Sequence, residues 1–236
     1  MLFAIIAAVI ILFPLIRLII SAAIYNRSSY KAITHNSFFS VMSDKGRLGE
    51  YDIYRKLKQY EAGGYKFLFN LYLPKPDGKT AEIDALLLGP EGAFVFESKN
   101  YSGWIFGTDT QKKWTQTLPA GRGRSAKTYF YNPVMQNKTH CAILKNYLPE
   151  GAEIMSVVLF SDRCTLKSVN ISDPGTTVAN RRDALYVVAE LISKSRPGGF
   201  DVSKAYETLY PFTQVSEEVK LAHIAETQNA QNGFYN

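Results

Sequence analysis

Residues 81–100 read AEIDALLLGPEGAFVFESKN, and this stretch decides the fold. Two runs of strand-forming residues, Ala81 to Leu88 and Ala93 to Asn100, flank Gly89-Pro90-Glu91-Gly92. Proline at the second turn position and glycine at the fourth suit a type I turn, so the runs are expected to pair as an antiparallel hairpin. With the turn centred between Pro90 and Glu91, Gly89 faces Gly92, Leu88 faces Ala93 and Asp84 faces Glu97. Directly opposed residues project from one face of a sheet with Cβ atoms ~4.5–5.5 Å apart. Lys99 lies two residues beyond Glu97 and shares that face. A one-residue bulge would break this register.

The rest of the hairpin is apolar on both sides. Leu86, Leu88, Ala93 and Val95 fall on one face, and Ile83, Leu87, Phe94 and Phe96 on the other. These read as central strands covered from both sides, and charges at the end of such strands are costly unless satisfied. A divalent cation held by Asp84 and Glu97 would satisfy the acids; Mg²⁺ takes one or two carboxylates, with waters, carbonyls and substrate phosphate completing its shell. Such a metal polarises a scissile phosphate and acidifies a bound water, while Lys99 could orient that water or offset growing charge. The competing reading is an exposed strand end on which the three charges form a weak surface pair.

Three separated segments, GRLGE (46–50), EIDALLLGPEGAFVFESKNYSG (82–103) and NPVMQNKTH (132–140), together resemble the NERD, or nuclease-related, domain, placed in the PD-(D/E)XK phosphodiesterase superfamily. The resemblance covers about residues 43–150. It implies a restriction-endonuclease-like α/β core, a mixed central sheet flanked by helices, with Mg²⁺ (or Mn²⁺) dependence and nucleic-acid cleavage. Under it Asp84 is the motif aspartate and Glu97-Ser98-Lys99 the E-x-K element. Glu50 corresponds to the helix glutamate that adds a metal or water contact, and Gln136 to the glutamine on the helix after the core strands. Related nucleases carry Q-x-x-x-Y there, whereas this chain has Gln136-x-x-x-His140; His140 is read as a surface or packing residue. The superfamily also includes members that use the fold for binding.

Outward from the hairpin, Asp44 is expected to cap a helix over residues 45–60 that ends at Gly63-Gly64. Tyr65 to Leu73 reads as an aromatic strand stopped by Pro74-Lys75-Pro76-Asp77-Gly78. Residues 101–131 form a looser segment with short strand-like pieces. Asn132-Pro133 then opens a helix to about Leu148, asparagine as cap and proline at the first helical position. Ile154 to Phe160 reads as a buried strand, 176–179 as a shorter one, and 182–193, 201–210 and 214–226 as helices.

Between Asp109 and Glu150 there is no acid, yet the stretch carries Lys112, Lys113, Arg122, Arg124, Lys127, Lys138 and Lys145, interleaved with Trp114, Tyr129, Phe130 and Tyr131. Local excess of Lys and Arg suits phosphates, and aromatic faces stack on unpaired bases. Lys112, Lys113, Arg122, Arg124 and Lys127 are therefore candidate contacts to DNA or RNA, the rivals being a mobile surface loop with scattered lysines or one that docks on anionic lipid near the anchor.

The first 24 residues, MLFAIIAAVIILFPLIRLIISAAI, have no charge before Arg17. As a helix they would span ~36 Å, enough for a ~30 Å hydrocarbon core. The segment reads as a membrane anchor over 1–25; a cleaved signal peptide ending at Ser21-Ala22-Ala23 and a buried core helix are the alternatives. Arg17, Arg27 and Lys31 supply half of the net charge of +6, and basic flanks stay cytoplasmic, so the N-terminus is expected outside and the domain in the cytoplasm. About 195 residues remain, enough for one domain; 46% hydrophobic and 20% charged residues describe a globular chain. The expected organisation is an anchor at 1–25, a linker at 26–43, the nuclease-like core at 44–150, a part completing the domain at 151–227 and a flexible tail at 228–236. Cys141 and Cys164 lack zinc-ligand spacing and read as ordinary buried thiols, or as a pair in an oxidising compartment. The expected function is a membrane-anchored, Mg²⁺-dependent nuclease of DNA or RNA. The alternative is a non-catalytic, tethered nucleic-acid-binding or scaffold module.

Overall fold

The computed structural model describes residues 2–121, 123–196 and 198–235, with all of their side chains except those of residues 2–9, 11 and 230–235. Four helices come first: α1 (Leu2–Asn26), α2 (Ser29–Thr34), α3 (Phe38–Ser43) and α4 (Lys45–Leu57). Each short connection is a cap. The side-chain oxygens of Ser28, Ser37 and Asp44 accept hydrogen bonds from the backbone N–H groups of Lys31, Ser40 and Arg47, satisfying donors a helix start leaves unpaired. The expected single helix over 45–60 divides, because a 3-10 turn (Lys58–Gly63) takes over after Leu57.

Six strands follow: β1 (Lys66–Pro74), β2 (Thr80–Gly89), β3 (Gly92–Lys99), β4 (Gly103–Thr108), β5 (Lys113–Pro119) and β6 (Ser125–Tyr131). Then come α5 (Pro133–Leu144), β7 (Ile154–Phe160), β8 (Cys164–Asn170), β9 (Thr176–Asn180), α6 (Ala184–Lys194), α7 (Val202–Leu209) and α8 (Glu217–Tyr235). The main sheet has the order β1-β2-β3-β7-β9; β1, β2 and β3 are antiparallel, and β3, β7 and β9 run parallel. One face is covered by α4, α6 and α2 over Ile53, Leu57, Phe67, Phe69, Phe94 and Phe96. The other is covered by α5 and α7 over Leu68, Leu86, Val95, Leu144 and Leu209.

A parallel pair needs a long crossover, and here the crossover from β3 to β7 holds a second sheet. Its order is β6-β5-β4-β8. The fold is therefore mixed α/β with two sheets flanked by helices, which fits the expected nuclease-like core. Residues 101–131, expected as a loose segment, are three paired strands, and β8 joins them from residues given no element by sequence. The two sheets meet where Trp114 stacks on Phe160 with ring centroids 5.9 Å apart.

The linker expected over 26–43 is folded. Tyr30, Ile33, Phe38 and Val41 are buried in the main core together with Tyr25, the last residue of the expected anchor, and Tyr25 packs edge-on against Tyr51 at 5.1 Å. Five apolar side chains at these spacings outweigh a polar background, so the segment docks rather than hangs. In the expected membrane span over 1–25, residue 1 and the side chains of residues 2–9 and 11 lie outside those described. Among the described residues no helix is long and apolar enough to cross a membrane. The expected tail falls partly on such residues too; α8 itself runs on to Tyr235. Cys141 and Cys164 are unpaired thiols.

Candidate active site

The hairpin register is the one the turn dictates: Gly89 pairs Gly92, Leu88 pairs Ala93 and Ala85 pairs Phe96. There the ladder stops. Asp84 and Glu97 are not a directly opposed pair; instead Asp84 Oδ2 accepts a hydrogen bond from the Ser98 backbone N–H at 2.7 Å. The carboxylate thus takes the place of a main-chain partner.

The cause lies one strand further out. The β1–β2 ladder runs from Phe69–Ala85 to Leu71–Ile83 and skips Asn70 and Asp84. Asn70 has φ +52°, a left-handed conformation that asparagine tolerates better than most residues. Here the strands change step. Phe67 and Phe69 face α4, but Leu71 and Leu73 face α5; likewise Ala85 and Leu87 face α4 while Ile83 faces α5. Ile83 therefore lies on the opposite face from that expected. The acids gather where the sheet loses its alternation.

Glu97 and Lys99 keep the alternation of β3 and point toward α5. Lys99 Nζ lies 2.7 Å from Glu97 Oε1 and donates to Gln136 Oε1 at 2.9 Å. Gln136 is delivered by the predicted cap: the Asn132 side chain accepts from the backbone N–H groups of Val134 and Met135 ahead of Pro133. His140, one helical turn on, is buried, which is the packing arm of the surface-or-packing expectation. Its Nδ1 sits 3.3 Å from Glu97 Oε2, in a geometry that leaves both atoms without a hydrogen bond. An i, i+4 spacing puts Gln136 and His140 on one helix face, which was the available signal.

Glu50 approaches from the other face on α4. It accepts a hydrogen bond from Tyr30 Oη at 3.0 Å, and the nearby Asn70 side chain acts to lower its pKa. Gly49 beside it leaves room for both neighbours: a Cβ there would lie 2.7 Å from Arg181 Nη2 and from Ser98 Oγ, so those side chains would have to shift. Arg181 is itself buried and donates to the Lys99 carbonyl at 3.4 Å. Tyr30, Asn70, Glu82, His140 and Arg181 were not placed at the site by sequence reasoning; they are scattered along the chain and meet only through the fold.

The electrostatics follow from crowding. Burial, then the charges of Glu97 and Glu50, hold the Asp84 carboxyl well above the usual range. Burial and nearby Glu82 push Glu50 up to about 7. Burial alone would raise Glu97 too, but the Lys99 ammonium and His140 overcome it and hold its carboxyl low. Lys99 is correspondingly raised by Glu97 and Asp84 against its own desolvation. With Asp84, Glu97 and Glu50 all ionised, the site would carry more negative charge than its one ammonium offsets.

That surplus is the fit test for a cation. The donors are hard carboxylate oxygens, and Glu97 Oε2 is buried without a hydrogen-bond partner. Two carboxylates plus waters suit Mg²⁺ or Mn²⁺, and Asp84 and Glu97 are the residues that would hold one. Among the described residues no three His, Cys, Asp or Glu side chains converge as a ready-made metal cluster.

Of the residues expected to meet nucleic acid, Lys112, Lys113, Arg124 and Lys127 are exposed on or beside the second sheet. Arg122 lies outside the described residues. Trp114, expected as an interleaved aromatic, is buried, and its indole N–H donates to the Thr108 carbonyl at 2.9 Å.

The match to known families agrees with this geometry. Residues 45–161 match the family model of the nuclease-related domain, NERD. The chain is a NERD-domain protein. The matched region begins at α4 with Glu50 and ends just after β7, so it contains Asp84, Glu97, Lys99, Gln136 and His140 and leaves out Tyr30 and Arg181. An uncharacterized protein of Bacillus anthracis is 27% identical over 185 residues, covering 78% of this chain and 84% of the relative. The similarity to that relative therefore reaches well beyond the NERD region. No solved structure matches the chain.

Proposed function

We propose that this NERD-domain protein hydrolyses phosphodiester bonds of DNA or RNA at the Asp84–Glu97–Lys99 site, with Mg²⁺ or Mn²⁺ as cofactor. The observation that carries the reading is the Glu97–Lys99–Gln136 chain of contacts at the point where Asp84 splits the sheet. A metal held by Asp84 and Glu97 supplies Lewis acidity toward the phosphate and a more acidic bound water. The protein's own part is positional. Glu97 fixes the Lys99 ammonium from one side and the Gln136 carbonyl fixes it from the other, so the cation is presented without conformational search. From there it can orient the attacking water or offset charge on the phosphate oxygens. Glu50, with a carboxyl pushed up to about 7, is poised to accept or return a proton near neutrality.

The full chain is expected to cut single- or double-stranded DNA or RNA in Mg²⁺ or Mn²⁺ and to lose cutting in EDTA. Lys99→Ala should lower the rate by about 10²–10⁴-fold, with thermal melting as the control for folding. Cleavage in EDTA, or an undiminished rate in the variant, would sink the reading. One observation favours a second reading, a binding module on the same fold: Glu97 Oε1 is already engaged by Lys99. A binder would retain nucleic-acid affinity in EDTA and never cut.

We further infer that α1 tethers the domain to a bilayer with the N-terminus outside and the domain in the cytoplasm. In support, Ile10, Leu12, Phe13, Leu15, Ile16 and Ile19 are all exposed, an apolar surface larger than a water-facing helix ordinarily shows. Arg17, Arg27 and Lys31 supply the basic flank. The full chain should remain with membranes after a carbonate wash, and deletion of residues 1–20 should release it; a full chain recovered in the wash would refute tethering.

A further inference from the structure

An open groove of about 620 Å³ runs between α1 and the α3–α4 side of the domain, within the size range of pockets that hold one small molecule. Much of its lining is apolar: Pro14, Leu18 and Ile24 from α1, and Phe38 and Met42 from α3. Leu18 is 42% exposed and Ile24 52%, so this wall faces solvent. The charges in the groove are of one sign. Arg17 enters from α1, Arg55 from the last turn of α4 and Lys58 from the 3-10 turn after it. A second hollow of about 240 Å³ shares Ile24, Arg55 and Lys58 with the first and adds Arg27. Among the described residues no Asp or Glu lines either hollow. Arg27 and Lys58 take part in no ion pair among the described residues. Asp52 comes only to 3.9 Å of Arg55 and is shared with Arg181 at 3.8 Å, a weak pairing for an exposed arginine. Arg17 and Arg55 lie over the rings of Phe13 and Tyr51 at 5.7 and 5.9 Å. Stacking of that kind uses the flat face of a guanidinium and leaves donors on its edge for an anion.

We propose that this groove binds one anionic phospholipid. Its acyl chain lies against Leu18, Ile24, Phe38 and Met42. Its phosphate is met by Arg55 and Lys58, which face both hollows, with Arg17 in one and Arg27 in the other. The argument is charge complementarity joined to an apolar trough. A bare trough accepts any oily segment, but four cations without a lining acid select a ligand that is apolar along its length and anionic at one end. A nucleic acid supplies phosphates and no chain for the trough. A zwitterionic lipid supplies the chain, but its own ammonium cancels the phosphate. The site goes beyond tethering and does not depend on it, because a groove of this kind takes a lipid molecule whether or not α1 crosses a bilayer.

The test is titration of the full chain in dodecyl maltoside micelles with dioctanoyl phosphatidylglycerol, read by native mass spectrometry as one lipid per chain. Dioctanoyl phosphatidylcholine, the chain-free headgroup glycerophosphoglycerol and a 15-mer of single-stranded DNA serve as the other probes. Phosphatidylglycerol should bind at least 10-fold tighter than phosphatidylcholine, and the free headgroup at least 10-fold weaker than its lipid. Arg55→Ala with Lys58→Ala should weaken phosphatidylglycerol about 25-fold, roughly 5-fold for each charge removed, and leave phosphatidylcholine unchanged. Lys79→Ala with Lys204→Ala removes the same charge elsewhere on the surface and should leave binding intact. All four replaced side chains are exposed, so both double variants are expected to melt with the parent, which separates lost contact from lost fold. Equal affinity for the two lipids, a headgroup that binds as tightly as its lipid, displacement of the lipid by the oligonucleotide, or an equal loss in both double variants overturns the lipid groove. A chain that washes from membranes in carbonate yet keeps this selectivity refutes the tether alone.

Discussion

Deleting residues 1–40 is expected to unfold this protein, whereas deleting residues 1–20 leaves it folded. The first cut removes Tyr25, Tyr30, Ile33 and Phe38, all at most 8% exposed, and uncovers Tyr51, Tyr54 and Phe69, against which they pack. Burying one large apolar side chain contributes roughly 1.5–3 kcal/mol. Even after the ordering entropy of the deleted residues is returned, about 5 kcal/mol of lost packing is comparable with the whole stability of a domain. The shorter cut removes side chains that are exposed wherever they are described. Thermal melting followed by circular dichroism should show a cooperative transition for the 21–236 chain, and for the 41–236 chain either none or one lowered by about 10–20 °C. Equal melting of the two would show that the N-terminal helices are ornaments. The same deletion takes away the Tyr30 hydroxyl that bonds Glu50, so a domain trimmed to the NERD match alone is expected to be damaged at its site as well as in its core.

Replacing Glu50 by Gln should stabilise the metal-free protein, and only above acid pH. The carboxyl is raised from 4.5 to about 7 by burial and by Glu82. Below pH 4.5 the group is protonated in folded and unfolded chains alike, so it adds no pH dependence. Between pH 4.5 and 7 the unfolded chain gives up the proton while the folded chain retains it, and stability falls. Above pH 7 the folded carboxylate bears the full penalty, up to about 3 kcal/mol at 1.36 kcal/mol per pKa unit. Glutamine preserves an acceptor for the Tyr30 hydroxyl and removes the charge. Melting at pH 8 should therefore rise by about 6–10 °C in Glu50→Gln, with no change at pH 4. An equal shift at both pH values would mean that packing and not ionisation sets the difference.

Much of the site was legible because its parts are local. The turn at Gly89–Gly92 fixes its own register, the E-x-K spacing fixes one face of one strand, and Asn132-Pro133 fixes the start of the helix that carries Gln136. What stayed hidden depends on a single backbone angle or on distant partners. Nothing in the letters of β1 announces that Asn70 adopts φ +52°, yet that residue moves Ile83 to the other face and ends the alternation at Asp84. The second sheet was missed because its strands mix Gly, Thr, Ser and Lys and bury only one face, weakening the period-2 signal. The N-terminal connector was misread because its buried aromatics are spaced irregularly among serines and asparagines. Its packing comes from the partner surface, which no local pattern encodes. His140 was undervalued for the same reason, since its role rests on Glu97, 43 positions earlier in the chain.

The docking of Tyr25 and Tyr30 changes what a tether would mean here. A protein on a slack leash sweeps a volume set by the length of its linker. In this chain α1 runs to Asn26, and α2 begins at Ser29, already seated on the core. On the tethered reading the attachment is a stalk: the domain stands at one height above the lipid, with one orientation, and the stalk ends a single hydrogen bond from Glu50. Substrate must then come to the membrane to be processed, and a force along the stalk would be felt at the site.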